Sequence, residues 1–343
     1  MILDTLRELC PLFGPSGFED AVREYILERV KPFAEHAEVT PNGTLLVMKK
    51  GKVKPRHRIL LAAHMDEVAL IVKSVEDDGF LRFRSVGGID RRVLPGRTVF
   101  VGEDRIPGVI GMKPIHLVEE DEAEKVPETK DLYIDIGAAK KEEAEKLVHP
   151  GDYVSFDPDF LELENGFVCS KAIDDRIGCA IMLELIREDL PVDTWFAFTV
   201  QEEIGSRGAF GAAFTVNPEI ALVLEGTSAA DVLGRENDAR VCVPLQGPVL
   251  SLVDKGSVYD RDLFRLLRTL ADEKGTGWQV KTRLAGTTDA RAFQAALGGC
   301  RVCGVSAPVR YIHSPSCVGN VRDFEAMKVL VRAFLEKMED YDG

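Results

Sequence analysis

The sequence predicts an α/β protein with a mixed, largely parallel sheet flanked by helices and a small β-barrel inserted into it. Two observations support this prediction. Apolar runs typical of buried strands alternate with helical segments in the first and last parts of the 343-residue chain. Between residues 68 and 163 the pattern changes to short strand-like segments separated by Gly, Pro and Asp. Alternation of strands and helices is typical of a parallel sheet covered on both faces.

The first part of the chain predicts two helices, a hairpin and a buried strand. DTLRELCPLF has the apolar spacing of a helix, and the segment from Ser16 to Glu19 has a capping-box pattern that predicts a second helix ending near Val30. PNG at residues 41–43 predicts a hairpin turn between EVT and TLLVMKK. The apolar run HRILLAAH then predicts a buried strand that ends at His64.

The insertion is predicted to be a small all-β barrel. Its strand-like segments are LIVKSV, FLRFRSV, RTVFVG, IPGVIGM and LYIDIGA. An acidic loop near VEEDEAEKVPETK and a short helix near KKEEAEKL accompany them. We therefore predict an inserted domain of residues 68–163 within a catalytic domain of residues 1–67 and 164–343.

Beyond the insertion, the alternation predicts the remaining helices and strands of the sheet. The predicted helices are IGCAIMLELIRE, GAFGAAF, RDLFRLLRTLADEKG, ARAFQAALG and DFEAMKVLVRAFLEKM. The predicted strands are TWFAFTV, IALVLEG, WQVKTR and CRVCGVS. Ligands of such sheets bind outside the carboxyl ends of the strands, so the residues that follow the strands are the candidates for function.

Composition and charge argue against several classes of function. The chain has no stretch of the roughly 20 apolar residues that a membrane span needs, and its N-terminus lacks the features of a signal peptide, so we expect a cytoplasmic protein. The net charge of −14 disfavours nucleic acid and anionic membranes as partners. Seven cysteines, an odd number, predict reduced thiols. Cys300 and Cys303 form a lone CxxC, for which a core strand and a redox role both stay open.

Histidines and carboxylates stand at the ends of predicted strands or at helix caps in five scattered segments. These segments are His64-Met65-Asp66, Asp174-Asp175, Glu202-Glu203, Glu225 and His313. Adjacent carboxylates directly after a buried strand are costly without compensating charge, which metal cations supply. Each segment alone also fits a cap or a solvated loop. Together they predict mixed histidine and carboxylate ligation, which suits zinc, cobalt or manganese.

A dinuclear hydrolytic centre needs the residue types that these segments provide. One carboxylate of the Asp174-Asp175 pair can bridge two cations while the other caps a helix. One of Glu202 and Glu203 can bind metal while the other accepts a proton from the attacking water. Asp66 lies two residues after His64, so in an extended segment both side chains point the same way and the carboxylate can fix the imidazole.

The ordered motifs AAHMDEV, KAIDDRIG, TVQEEIGSRGA, VLEGTSAAD, AGTTDA and VRYIHSPS resemble a known family over nearly the whole chain. It is the family of dinuclear metallo-aminopeptidases that includes tetrahedral aminopeptidase and glutamyl aminopeptidase. The resemblance implies a zinc-peptidase-like fold and two divalent metal ions per subunit, zinc first, with cobalt or manganese as alternatives. Glu225 is a departure from many family members, which carry Asp there, and its longer side chain can alter the metal preference.

The resemblance also implies a role for each site residue. Asp174 bridges the two metals. His64 and Glu225 complete one metal site, and Glu203 and His313 complete the other. Glu202 is then the general base, and Asp66 orients His64.

The implied function is a metal-dependent aminopeptidase that hydrolyses the N-terminal residue of peptides through a water activated by two metals. The implied assembly is a homo-oligomer, commonly a dodecamer, with the β-barrel domain at subunit contacts. An N-acyl amino acid deacylase or carboxypeptidase of related fold would use similar ligands, although such relatives usually carry a helical lid later in the chain. An endoglucanase is disfavoured, since glycoside hydrolysis requires two opposed carboxylates and usually aromatic sugar platforms. A non-enzymatic assembly protein would not need an intact ligand set.

Two further features have open roles. Asp289 lies in a motif near the family's substrate cleft, yet it also fits an ordinary helix cap. Arg91, Arg92 and Arg97 of the insertion either reach an acidic substrate side chain in a neighbouring subunit or lie in solvent. The preferred N-terminal residue and the physiological metal stay open.

Overall fold

The computed structural model of the protein describes residues 1–119, 124–284, 286–296 and 298–342. Its helices are α1 (Ile2–Leu9), α2 (Asp20–Val30), α3 (Lys141–Ala144), α4 (Ile173–Arg187), α5 (Arg207–Val216), α6 (Arg261–Lys274), α7 (Ala290–Ala295) and α8 (Val321–Lys337). The strands of the first half are β1 (His36–Val39), β2 (Leu45–Lys49), β3 (Gly51–Val53), β4 (Ile59–His64), β5 (Ala69–Val75), β6 (Leu81–Val86), β7 (Thr98–Val101), β8 (Ile106–Gly111), β9 (Tyr133–Asp135), β10 (Tyr153–Phe156), β11 (Leu161–Glu162) and β12 (Phe167–Ser170). The later strands are β13 (Leu190–Val192), β14 (Thr194–Thr199), β15 (Ile220–Ala229), β16 (Val249–Leu250), β17 (Gln279–Val280), β18 (Arg301–Arg310) and β19 (Cys317–Asn320).

These elements form a large mixed sheet and a closed barrel, which confirms the predicted fold class. The main path of the sheet has the order β1-β2-β14-β4-β15-β18-β19-β12-β11. Strands β14, β4, β15 and β18 are parallel, and the strands on either side of them pair antiparallel. Thr199 lies opposite His64, and Glu225 lies opposite Ser306. The parallel strands therefore bring residues near their carboxyl ends to one edge of the sheet.

Both faces of the central strands are buried, which explains their continuous apolar sequences. On β4, Leu61 and Ala63 pack in a core with α1, α2, α4, α6 and α8, whereas Leu60 and Ala62 pack on the other face with α5 and α7. All six residues of β4 are buried. A strand covered on both faces has no solvent-facing side and needs no alternating polar residues.

The barrel closes through the strand order β10-β5-β6-β9-β8-β7, with every pair antiparallel. The five predicted strands are present, and β10 is the sixth. It went unpredicted because it is a run of four residues between Gly-Asp and Asp-Pro. The barrel strands all lie within the predicted insertion, whereas the exact domain boundaries stay a prediction. Part of the predicted acidic loop, residues 120–123, lies outside the described residues.

Two local predictions were wrong. Helix α2 begins at Asp20 with Glu19 as its cap residue, so the capping box is not formed. The hydroxyl of Ser16 donates instead to the carboxylate of Asp66, and Glu19 accepts hydrogen bonds from the backbone N–H groups of Gly17 and Gln201. Tertiary contacts thus outcompete the local cap. The predicted strand WQVKTR is reduced to the two residues of β17, which pair with the short β16.

The cysteines are all free thiols. Cys303 packs in the core on one face of the sheet, whereas Cys300 packs against the core on the other face. The two thiols of the CxxC therefore point to opposite faces, which favours the core-strand interpretation over a redox role. Across the described residues, every helix is too short or too polar to cross a membrane.

Candidate metal centre

The five segments singled out in the sequence meet at the carboxyl edge of the parallel strands. His64 is the last residue of β4, and Glu225 lies within β15. Asp174 stands at the start of α4, and its peptide bond to Asp175 is cis. Glu203 follows β14, and His313 follows β18.

Their ligand atoms form two groups that share Asp174. In the first group, Nε2 of His64 lies 3.7 Å from Oδ1 of Asp174 and 3.7 Å from Oε2 of Glu225. In the second group, Nε2 of His313 lies 3.4 Å from Oδ2 of Asp174 and 3.3 Å from Oε1 of Glu203. Within each group the ligand atoms lie within 4.8 Å of one another. Asp174 therefore offers one oxygen to each group, as a bridging carboxylate would.

The electrostatics of these groups fit divalent cations. Burial raises the pKa of Glu225 well above its ordinary value and that of Glu203 to about 7. Burial also opposes ionisation of Asp174, but contacts with the imidazoles of His313 and His64 lower its pKa overall. Several carboxylates buried together are unfavourable when ionised, because their negative charges are not compensated. Cations bound by carboxylate oxygens and imidazole nitrogens supply the compensating charge.

Glu202 lies beside both groups but belongs to neither. Burial raises the pKa of its carboxyl well above the ordinary value, with Asp289 and Glu203 adding repulsion. Oε1 of Glu202 lies 3.4 Å from the hydroxyl of Ser206. A carboxylate with a raised pKa that is free of metal ligation is suited to accept and return a proton near neutral pH.

Asp66 contacts more of the site than the sequence indicated. The ring Nδ1 of His64 lies 3.0 Å from the backbone carbonyl of Asp66 and 3.5 Å from its carboxylate. The carboxylate also accepts hydrogen bonds from the backbone N–H groups of Glu202, at 2.9 Å, and Glu203, at 3.1 Å. Asp66 thus fixes the backbone of both glutamates as well as lying against His64.

The inserted barrel also reaches the site. Nδ1 of His313 lies 3.0 Å from the carbonyl oxygen of Gly88 in the segment after β6. The preceding Gly87 has φ of +81°, and a Cβ at this position would lie 2.9 Å from Val68 Cγ1 and 3.3 Å from Glu203 Cβ. No sequence signal linked the two glycines to the site, because the contact is made by a backbone atom.

Asp289 is not an ordinary cap. Its side chain is 1 % exposed and accepts a 2.5 Å hydrogen bond from the hydroxyl of Thr199, and burial raises its pKa to about 6. It makes no side-chain cap to α7; the hydroxyl of Thr288 accepts from the N–H of Ala290 instead. Asp175 likewise points inward and accepts hydrogen bonds from the N–H groups of His64 and Gly178.

A buried ionic cluster lies beneath the site and was missed by the sequence analysis. The ammonium of Lys171 donates to Oε1 of Glu67 at 2.6 Å, and Arg176 Nη2 lies 3.6 Å from the same oxygen. Arg176 also donates to the carbonyl of Met65, between His64 and Asp66. All three charged side chains are at most 2 % exposed. Through the hydrogen bond from Arg176 to Met65, the cluster fixes the backbone segment that follows His64.

A mixed sheet whose central parallel strands are covered on both faces, with histidines and carboxylates gathered at their carboxyl edge, is an arrangement suited to a hydrolase. The family model described as M42 glutamyl aminopeptidase matches residues 43–330. The chain belongs to this peptidase family.

Individual relatives agree with that assignment. The chain is 36% identical to a putative aminopeptidase of Acetivibrio thermocellus, over 97% of this chain and 98% of the relative. It is 31% identical to the glutamyl aminopeptidase of Lactococcus lactis, over 98% and 96% of the two chains. It is 29% identical to the lysyl aminopeptidase of Pyrococcus furiosus, over 99% and 98%. The chain is thus a peptidase related to aminopeptidases, and the carboxypeptidase and deacylase alternatives are not favoured.

Solved structures of the family have the same fold. The aminopeptidase APDkam598 of Desulfurococcus kamchatkensis superposes with a TM-score of 0.93 at 34% identity, covering 100% of this chain and 98% of that one. The TET1 peptidase of Pyrococcus horikoshii, which can assemble into a tetrahedron or a large octahedral shell, superposes with a TM-score of 0.85 at 35% identity, covering 98% and 99%.

Proposed function

We propose that the protein is a dinuclear metallo-aminopeptidase that removes the N-terminal residue of peptides. The observation that supports this most strongly is the pair of candidate ligand groups sharing Asp174, with the buried carboxyl of Glu202, whose pKa is raised, beside them. His64, Asp174 and Glu225 would hold one divalent ion, and Asp174, Glu203 and His313 the other. Zinc suits this donor set, with cobalt or manganese as alternatives. When bound, such ions polarise a carbonyl and lower the pKa of water to about 7.

The residues of the chain then have distinct tasks. The carboxylate of Glu202 takes a proton from the attacking water and returns it to the departing amine. Asp66 is a positioning residue, since it fixes the backbone of Glu202 and Glu203 and lies against the ring of His64. The clustered carboxylates attract the free α-amino group of a peptide, which favours cleavage at the N-terminus.

We also propose that the chain forms a homo-oligomer, such as a dodecamer, with the barrel at subunit contacts. The TET1 peptidase of Pyrococcus horikoshii, which assembles into a dodecamer or larger shells, supports this part of the proposal. We further propose that the enzyme acts on peptides in the cytoplasm, as the sequence predicts. A closed assembly would admit peptides and exclude folded proteins.

Metal removal tests the proposal directly. Exhaustive chelation should abolish hydrolysis of aminoacyl p-nitroanilides, and zinc, cobalt or manganese should restore it with a metal content near two per chain. Free-amine substrates should be cleaved and their N-acetyl forms should not. Full activity after verified metal removal would contradict the dinuclear proposal, and preferential hydrolysis of N-acyl amino acids would favour a deacylase.

A further inference from the structure

A cavity of about 690 Å³, including its open mouth, adjoins the candidate metal centre. Gly226 and Ser306 form part of its lining. Gly226 follows the candidate ligand Glu225, and its N–H donates to Oδ1 of Asp174 at 2.9 Å. Ser306 lies opposite Glu225 in the sheet. The cavity therefore adjoins the first ligand group through the residues next to Glu225 along the chain and across the sheet.

Two cationic side chains, Lys281 and Arg283, line the cavity. Lys281 is half-buried and Arg283 is exposed. Among the described residues, neither makes an ion pair or a side-chain hydrogen bond. In a chain with a net charge of −14, two uncompensated cations beside a carboxylate-rich centre mark this cavity as a place where a ligand's negative charge is favoured.

The carboxylate of Asp254, which lines the same cavity, already accepts hydrogen bonds from groups of the protein. Oδ1 of Asp254 accepts hydrogen bonds from the N–H groups of Gly256 and Ser257, both at 2.7 Å. Its Oδ2 accepts from the hydroxyl of Tyr259 at 2.8 Å. Asp254 is thus saturated by hydrogen bonds that shape the wall, whereas the ammonium and guanidinium groups remain available to a ligand.

We propose that this cavity receives the side chain of the substrate's N-terminal residue and selects Asp and Glu, with Lys281 and Arg283 as specificity-determining residues. The proposal rests on the proposed aminopeptidase function, since it places the α-amino group at the metal centre. From there the first side chain enters the adjoining cavity. Arg and Lys form charge-assisted hydrogen bonds with carboxylates, and the same two cations repel a lysyl or arginyl side chain.

Other arginines do not provide this selection within one subunit. Arg91, Arg92 and Arg97, which the sequence suggested for an acidic side chain, do not line the cavity. Arg92 is paired with Asp90 at 2.8 Å through Nε. The family does not settle the preference either, because this chain resembles both a glutamyl and a lysyl aminopeptidase.

The test measures kcat/KM for glutamyl, aspartyl, leucyl and lysyl p-nitroanilides with the metal-loaded enzyme. The wild type should prefer the acidic substrates over the lysyl substrate by on the order of tenfold or more. Lys281→Glu and Arg283→Glu should each lower the kcat/KM for acidic substrates relative to the leucyl substrate and raise that for the lysyl substrate. Lys255→Glu makes the same charge change outside the cavity lining and should leave the order of preference intact.

The outcomes separate the two proposals. If the metal-loaded wild type hydrolyses none of the aminoacyl substrates, the proposed function itself is contradicted. Hydrolysis with a wild-type preference for lysyl or leucyl substrates would overturn only the specificity assignment, as would a preference that neither substitution alters. If the charge-reversed variants do not fold, Lys281→Gln and Arg283→Gln supply the same comparison, with a smaller loss expected for acidic substrates.

Discussion

The imidazole Nδ1 of His313 lies 3.0 Å from the carbonyl oxygen of Gly88, so the inserted barrel holds a residue of the candidate metal centre. A ring N–H donated from Nδ1 leaves the lone pair of Nε2 facing Asp174 and Glu203. This is the tautomer that a metal ligand requires, and a second hydrogen bond of this kind orients most metal-binding histidines. The barrel therefore contributes to the site within one chain, in addition to any role in assembly.

We expect Gly87→Ala to weaken metal binding and activity. The new Cβ would lie 2.9 Å from Val68 and 3.3 Å from Glu203, so the segment that carries the Gly88 carbonyl must shift. Loss of a hydrogen bond that orients a metal-binding histidine typically lowers metal affinity or activity by about 10–100-fold. Zinc affinity and kcat are the measurements. Gly137→Ala is the control: its φ of +80° gives the same backbone strain, with nothing within 4 Å of the new Cβ. Equal losses in both variants would show that strain alone is responsible.

Asp66→Asn should lower kcat while leaving the fold intact. The carboxylate accepts from the N–H groups of Glu202 and Glu203, and an amide NH₂ would oppose one of these donors. A buried donor left without an acceptor costs about 1–3 kcal/mol, which corresponds to a loss of about 5- to 150-fold. Ser16→Ala removes one donor to Asp66 and should have a smaller effect. A normal kcat for Asp66→Asn would remove Asp66 from the positioning role.

Glu202→Gln should reduce kcat by about 10²–10⁴-fold, the usual contribution of a general base. The amide keeps the size of the side chain but cannot accept the proton of water. Because Glu202 belongs to neither ligand group, metal content should remain near the wild-type value. Glu203→Gln, by contrast, should lower the metal content. Near-normal turnover of a fully metal-loaded Glu202→Gln enzyme would assign the proton transfer to another group.

The sequence predicted which residues the structure brings together at the candidate site better than it predicted the contacts that support them. His64 and Glu225 stand on strands that are apolar because both faces are buried, and parallel strands must align their carboxyl ends. This reasoning needs only residue identity and order. The contacts of Asp66 with residues 202 and 203, and of Gly88 with His313, involve backbone atoms far apart in the chain. Because nearly every residue type has the same backbone N–H and C=O groups, the sequence does not indicate which residues make such contacts. Ser16 and Glu19 matched a local cap, but their partners Asp66 and Gln201 lie on distant segments.

The buried cluster beneath the site predicts an unequal effect of two substitutions. Glu67→Gln leaves Lys171 and Arg176 buried without a carboxylate, which should destabilise the fold by about 3–5 kcal/mol. Lys171→Met leaves Glu67 near Arg176 and should cost less. Urea unfolding under the same metal conditions compares the two variants. An equal or reversed order would contradict the view that one carboxylate balances two buried cations.

Stability of the metal-free protein should fall as pH rises from about 5 to 9. Burial raises the pKa of Glu19 and of Glu203 to about 7, from 4.5. Burial lowers the pKa of His313, but contact with Asp174 raises it overall to about 9, from 6.5. Each group holds its proton more tightly in the folded state than in the unfolded state. Its contribution to stability is therefore fully present below its unfolded-state pKa and is lost as the pH rises through its folded-state pKa.

The two residue types therefore lower stability over successive pH ranges, about pH 4.5 to 7 for the glutamates and about pH 6.5 to 9 for the histidine. For Glu19 the difference corresponds to on the order of 3 kcal/mol. Thermal unfolding at pH 5, 7 and 9 with chelator should show the decline, and Glu19→Gln should flatten its lower part. Zinc should reduce the decline above pH 7, because a cation replaces the protons at Glu203 and His313. A metal-free Tm that stays level or rises over this range would count against the charge balance described for the site.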